Sequence, residues 1–387
     1  MRIPFPAATR PGARLISTML FGAALASCGG GSSNDTPATP PVTTTPPVTV
    51  TPPVTSAVFT ATNVVTDSGS AAAHVDANLV NGWGIAFNPT GFVWVANQGT
   101  STSTLYDGNG VPQSLVVSIP AATGGSAGPT GIVYNGTQDF KVTANGITGA
   151  PPFIFVGTGG TLSGWSPAVS PTKSVTMVDT SATATPSAYT GLALSNYAGV
   201  NYLYAADFRN GHVDVYDTTW KKVTLPGGAF VDPNLPAGYA PFGIQAIGTR
   251  IYVTYAQHAP TGPLENLGAG IGIVDVFDSS GAMVSRFATG GALNAPWGVA
   301  LAPANFGSFG NMLLVGNFGD GKINVYDPAT GTLKGTLSKA DKTPIVVDGL
   351  WGIAFGNGLN SQPLNTLFYA AGPSAETHGL YGRIDPQ

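Results

Sequence analysis

Short apolar runs of four to seven residues recur along the chain between Gly, Asn, Asp and Pro. "FVWVAN" (Phe92 to Asn97), "NYLYAAD" (Asn201 to Asp207), "NMLLVGN" (Asn311 to Asn317) and "TLFYAAG" (Thr366 to Gly372) are examples. Val, Ile, Leu, Tyr and Phe dominate them, and turn-forming residues bound them, which is the signature of strands joined by tight turns. "FRNGH" and "FGDGK" contain the Asn-Gly and Asp-Gly pairs of hairpins.

One phrase organises these runs. "GWGIAF" and "LWGIAF" stand at the two ends of the body, with Gly84 and Gly352 at their centres. Between them lie "PTGIVY" (Gly131), "YTGLAL" (Gly191), "PFGIQA" (Gly243) and "PWGVAL" (Gly298). Successive glycines are 47, 60, 52, 55 and 54 residues apart. Six copies with a period near fifty predict the blades of a β-propeller. Each copy carries the pieces of a four-stranded sheet: blade five reads "GVAL", "NMLLVGN", "GKINVYD" and "GTLKGTL". Third strands end at Asp107, Asp217, Asp278 and Asp327, a residue suited to opening a turn.

Blade six has "GIAF", "TLFYAAG" and "GLYGRID" and lacks a fourth run. "AVFTATNVVT", residues 57–66, precedes blade one and belongs to no blade. The first body strand is therefore expected to complete the last blade, which removes two open sheet edges. The expected fold is all-β: a six-bladed propeller over residues 57–387, closed by residues 57–66.

The small-Gly-apolar phrase, followed by "VWVAN" and "INVYD", resembles NHL-type propeller repeats. "NLVNGWGIAFNPTGFVWVANQGTST" is similar to a family of uncharacterised exported bacterial propellers. The resemblance covers essentially the whole body and implies six blades. It brings no established activity and no catalytic residue.

Composition narrows the function classes. There are 53 glycines and 32 prolines, and only 9% of residues are charged. A net charge of −4 gives no basic surface, so nucleic acid is not an expected partner. The single cysteine, Cys28, excludes an intramolecular disulfide and a thiolate metal cluster. Arg2, Arg10 and Arg14 precede the apolar run Leu15 to Ala26, which has the layout of an export signal. Leu25-Ala26-Ser27-Cys28 resembles a bacterial lipobox. The resemblance implies that residues 1–27 are a signal peptide and that Cys28 is acylated and holds the protein to a lipid bilayer. Gly29 after the cysteine favours the outer membrane, by the same resemblance; periplasmic or secreted protein is the alternative. Residues 28–56 contain three PPVT units and no material for a core, and read as an extended tether. A monomer is expected.

Propeller topology places the residues before each repeat glycine, and the turns between second and third strands, on one face, called upper here. Three groups collect there. Trp83, Phe242, Trp297 and Trp351, alongside Thr130 and Thr190, form an aromatic crescent that either wedges the blades or binds a glycan, small molecule or protein. Asn97, Asp207 and Asn317 end second strands on alternate blades; their oxygens suit Ca²⁺ or another divalent cation, or simple turn capping. His74, His212, His258 and His378 fall on upper connections, with Glu265 and Glu376 in the same long loops. These are candidates for acid–base work or are solvated loop residues. The expected role is ligand or partner binding through the upper face. The alternative is a metal-assisted hydrolase, lactonase or lyase at the upper channel mouth. Gluconolactonase-like and streptogramin-lyase-like propellers use such faces, but no motif transfers their residues here.

Overall fold

A computed structural model describes residues 58–225, 228–261 and 264–387. The expected signal peptide of residues 1–27, the expected acylation of Cys28 and the expected tether of residues 28–56 lie outside the described residues.

The apolar runs form six radial sheets. Blade one comprises Gly82–Phe87, Val93–Asn97, Thr102–Tyr106 and Pro112–Ser118, in that order from the channel outward. The inner strands of blades two to six are Pro129–Tyr134, Tyr189–Tyr197, Tyr239–Ile247, Pro296–Leu301 and Leu350–Phe355. Each of these pairs with the next strand in sequence within its sheet and lies at the end of the sheet order. The Asp residues that close third strands do open turns. The Asp217 carboxylate accepts the Thr219 and Lys221 amides, and Asp278 those of Ser280 and Ala282.

Closure runs as the sequence suggests. Phe59–Thr66 lies antiparallel to Leu380–Pro386, from Phe59 opposite Pro386 to Thr66 opposite Leu380, with a bulge between Asn63 and Val65. Gly382 faces this strand because the Tyr369 hydroxyl occupies the place of its side chain and donates to Asn63 Oδ1 at 2.6 Å. A short parallel addition, His74–Val75, extends the same sheet by one strand.

Burial follows the ring. A hydrophobic cluster fills each of the six blade–blade interfaces. Trp94 of blade one, for example, stacks on Phe153 of blade two at 4.1 Å. Each buried Leu, Ile, Val or Phe contributes about 1.5–3 kcal/mol.

The repeat glycines explain why the blades come this close. Gly84 is set against the Thr130 carbonyl of the next blade, and Gly243 against that of Trp297. A Cβ on Gly298 would stand 2.6 Å from the Trp351 carbonyl oxygen, and one on Gly352 2.5 Å from that of Trp83. Gly131 and Gly191 abut the backbones at Leu192 and Ile244. The six contacts run from blade to blade and return to the start.

Two outcomes follow for stability. Gly298→Ala is expected to cost about 1–3 kcal/mol through overpacking, whereas Gly125→Ala, with open space around its Cα, should change stability by less than about 0.5 kcal/mol. Removal of residues 58–66 should lower the melting temperature of the whole ring in a single transition. Urea denaturation and calorimetry measure both; an unshifted melting temperature in the truncated protein would contradict closure.

Candidate functional site

The upper end of the channel is filled. Trp83 and Trp351 stack with centroids 3.4 Å apart, and Phe318 stacks on the other side of Trp351 at 4.0 Å. Trp297 meets Trp83 edge-on at 5.9 Å, and Phe242 lies 5.6 Å from Trp351. Trp351 is 0% exposed, Phe242 1% and Trp83 5%; only Trp297 of the four is partly exposed. The four rings pack on one another and plug this end of the channel. Trp297 Nε1 donates to the Thr190 carbonyl at 2.9 Å, and Trp351 Nε1 to Asn81 Oδ1 at 3.1 Å.

The channel opens at the other end. A cavity of about 450 Å³ is lined by the lower halves of all six inner strands. Sequence reasoning placed the channel mouth on the upper face; the large aromatic side chains just before the glycines decide the opposite.

Asn97, Asp207 and Asn317 are all 0% exposed and each serves its own blade. Asn97 Nδ2 donates to Thr102 and Thr104, Asp207 accepts from the Ala188 and Asn210 amides, and Asn317 Nδ2 donates to the Ala292 carbonyl and Asp320. No hydrogen bond among the described residues links the three; Asn97 Oδ1 and Asn317 Oδ1 are buried and receive no hydrogen bond from a described residue. Asp207 instead gathers with His212 and Asp214, whose ligand atoms lie within 4.8 Å of one another. Lys222 Nζ stands 2.6 Å from Asp214 Oδ1, where a metal ion would sit. The Asp214 hydrogen bond raises the His212 pKa against the opposing effect of burial.

The histidines are dispersed. His378 Nδ1 lies 2.9 Å from Asp67 Oδ2 beside the closing strand, and His74 is in the added strand of blade six. His258 packs its ring on Phe208 at 4.3 Å and pairs in register with Glu265.

Glu376 lies near enough for its charge to act on Glu265, although they stand 111 positions apart in sequence. Glu265 sits in the two-residue strand Glu265–Asn266, an extra hairpin arm on blade four. Glu376 ends the turn Pro373–Glu376 on blade six, where Ser374, Ala375 and Glu376 have φ of 57°, 54° and 65°. Three successive left-handed residues without a glycine cost ~1–3 kcal/mol each. The Asp348 carboxylate holds the turn by accepting the Ser374 amide at 2.8 Å. Glu376 Oε2 accepts from Asn81 Nδ2 at 2.7 Å, and the same amide group donates to Gln98 at 3.1 Å. Asn81, itself at φ 49°, thereby links the carboxylate to the Trp351 indole and the plug. Burial raises the pKa of both glutamates; the charge of Glu376 raises Glu265 further, while the Asn81 hydrogen bond pulls Glu376 the other way. The ion pairs of the described residues formed by Lys and Arg lie elsewhere. Paired carboxylates with raised pKa values on strained loops mark a functional-site candidate.

Sequence reasoning missed Asn81 and Gln98, and also a ring of buried polar residues in the third strands: Thr104, Ser163, Asp214, Asp275 and Asn324. The signal for the latter was present, since each interrupts an apolar strand at its middle.

No protein-family model matches the chain. Two uncharacterised proteins of Acanthamoeba polyphaga mimivirus are similar over most of their length. One is 34% identical over 328 residues, 83% of this chain and 78% of its own. The other is 32% identical over 326 residues, 83% of this chain and 84% of its own. Among solved structures, a protein of unknown function from Bacteroides thetaiotaomicron has a TM-score of 0.51 at 12% identity, covering 84% of this chain and 76% of its own. Virginiamycin B lyase from Staphylococcus aureus has a TM-score of 0.48 at 14% identity, covering 85% of this chain and all of its own. These structural likenesses concern the fold alone.

Raised carboxylates contribute stability when protonated and lose it as pH rises through their folded-state pKa values. Glu265→Gln and Glu376→Gln should therefore each stabilise the protein at pH 7, by about 0.5–1 kcal/mol. That advantage should fade as pH falls through the raised folded-state values and be gone by about 4.5. Denaturation of wild type and variants at pH 7 and pH 4 measures this; destabilisation at pH 7 would show that the carboxylates are held by compensating donors.

Proposed function

Because this chain belongs to the family of the two uncharacterised mimivirus proteins, whose names carry no activity, we propose a function from its own site: a ligand-binding propeller whose upper face takes up a divalent cation between Glu265 and Glu376. The observation that carries it is that both carboxylates are largely withdrawn from water while the charge of one acts on the other. Burial and mutual repulsion make the empty arrangement costly, and a cation relieves both. Carboxylate oxygens such as those of the two glutamates suit Ca²⁺. A cation held on the rim of the ring would in turn meet the hydroxyls of a glycan or another oxygen-rich ligand.

The export signal and lipobox residues support display of this module at the cell envelope, tethered to a bilayer through acylated Cys28, with the outer membrane as the favoured site. Phe59, at the start of the closing strand, lies at the lower end of the blade-six sheet.

A second reading rests on the raised pKa values themselves. A carboxyl that keeps its proton toward neutral pH can act as a general acid opposite an ionised partner, as a hydrolase or lyase requires.

Titration of the full chain with CaCl₂ after chelation tests the first reading. Binding at a hundred times Kd stabilises by about 2.7 kcal/mol, a rise of several degrees in melting temperature. Glu265→Gln and Glu376→Gln should each remove most of the rise. Absence of both heat and thermal shift with Ca²⁺, Mg²⁺ and Mn²⁺ would sink cation uptake. A glycosidic or lactone-cleaving activity lost in the same variants without any bound metal would establish the second reading instead.

A further inference from the structure

We infer that the lower channel is a second binding site, independent of the glutamate pair, for one uncharged small molecule that combines an apolar body with peripheral hydrogen-bonding groups. Its wall carries no charged side chain. Phe87, Tyr134, Leu194, Gln245, Leu301 and Phe355 line it, one from each of the six blades, alongside small alanines. Gln245 supplies the only side-chain amide. A buried, unpaired charge costs several kcal/mol, so an ionic ligand gains nothing here.

The wall is not uniformly apolar. Every inner strand lies at the end of its sheet, so six strand edges turn toward the channel axis. Edges present backbone N–H and C=O groups that the sheet itself leaves unpaired. A hydrocarbon would strand those groups, whereas a molecule with donors and acceptors around an apolar body satisfies both kinds of surface. Size is set by the closed end. Above the cavity the channel narrows at Gly84, Gly131, Gly298 and Gly352 to a space of about 30 Å³, room for a water or two. The aromatic plug then seals it. A polymer cannot thread through, and the open part, about 450 Å³, lies within the ~300–1,000 Å³ of small-ligand pockets.

N-phenyl-1-naphthylamine and its sulfonated analogue, 1-anilinonaphthalene-8-sulfonate, differ essentially by one negative charge and make a direct probe. The full chain is expected to bind the neutral dye at one site per chain, with the sulfonate at least tenfold weaker. Ala246→Trp and Ala354→Trp place an indole at the cavity wall from blades four and six, at positions that are already half-exposed. Each should weaken neutral-dye binding tenfold or more, with a melting temperature within a few degrees of wild type. If one fails to fold, the other decides. Glu265→Gln should leave dye binding unchanged, so this result stands or falls separately from cation uptake. Non-saturable binding, equal affinity for the sulfonate, or dye binding indifferent to both indoles would overturn the proposal. So would a dimer whose formation excludes the dye, since the cavity would then be an interface between copies.

Discussion

The contact on which the ring depends is a bare Cα against a carbonyl oxygen. At Gly84, Gly243, Gly298 and Gly352 the backbone of one blade touches a peptide oxygen of the next so closely that a single methyl group has no place. This contact fixes the inner radius. A larger residue would push the inner strands apart and open each interfacial cluster at its narrow end, where packing defects are felt most. The repeated phrase thus encodes a distance more than a strand: glycine for approach, a β-branched or leucine residue next to it for the interface, and an aromatic before it for the axis.

That distance also decides which face is open. With the blades drawn in at the glycines, the side chains one position earlier converge on the axis, and four of the six are aromatic. They fill the upper end by stacking, and their indole N–H groups are drawn into service. Trp297 reaches across to the Thr190 carbonyl and Trp351 to Asn81. One position of the repeat therefore seals the channel, and through Asn81 it braces the loop that holds Glu376. The strained turn at Ser374 to Glu376 persists because the Asp348 carboxylate, Asn81 and Gly372 fix it from three sides. Strain of this kind, set directly above a plug rather than in a free loop, is a means of holding two carboxylates closer than their charges favour.

Fold and closure were legible because they rest on local signals: glycine spacing, apolar run length, and a missing fourth strand matched by a spare first one. The same holds for Asp217 and Asp278, whose carboxylates cap turns a few residues away. Glu265 and Glu376 were legible as loop residues of the right chemistry, but not as a coupled pair, because they belong to blades four and six and are related only through the closed ring. The burial of Trp83, Phe242 and Trp351 was illegible for a related reason. A residue's position in a repeat says that it points to the axis; whether the axis is open there depends on the summed volume of six side chains. Asn97, Asp207 and Asn317 matched in position and chemistry, yet each turned toward its own hairpin, where hydrogen-bond partners were nearer than the channel.

The third strands show how far one repeated position can diverge without disturbing the ring. Asp214 and Asp275 occupy the same place in blades three and four, and both are essentially fully buried. Burial alone would raise Asp214, but His212, Lys222 and the Tyr189 hydroxyl converge on it and hold it below the usual carboxylate range. Around Asp275 the nearest cation, Arg286, turns its Nη2 to Asp232 and leaves Nε 3.6 Å away. Burial pushes the carboxyl up to about 7, and the Tyr255 hydroxyl lowers it only in part. The outer strands supply this difference, through Lys222 in one blade and Arg286 in the next. The inner half of each blade is held to a common geometry by the glycine contacts, so variation in chemistry is displaced outward and upward. The same displacement put the glutamate pair on added loops and left the channel wall itself uncharged.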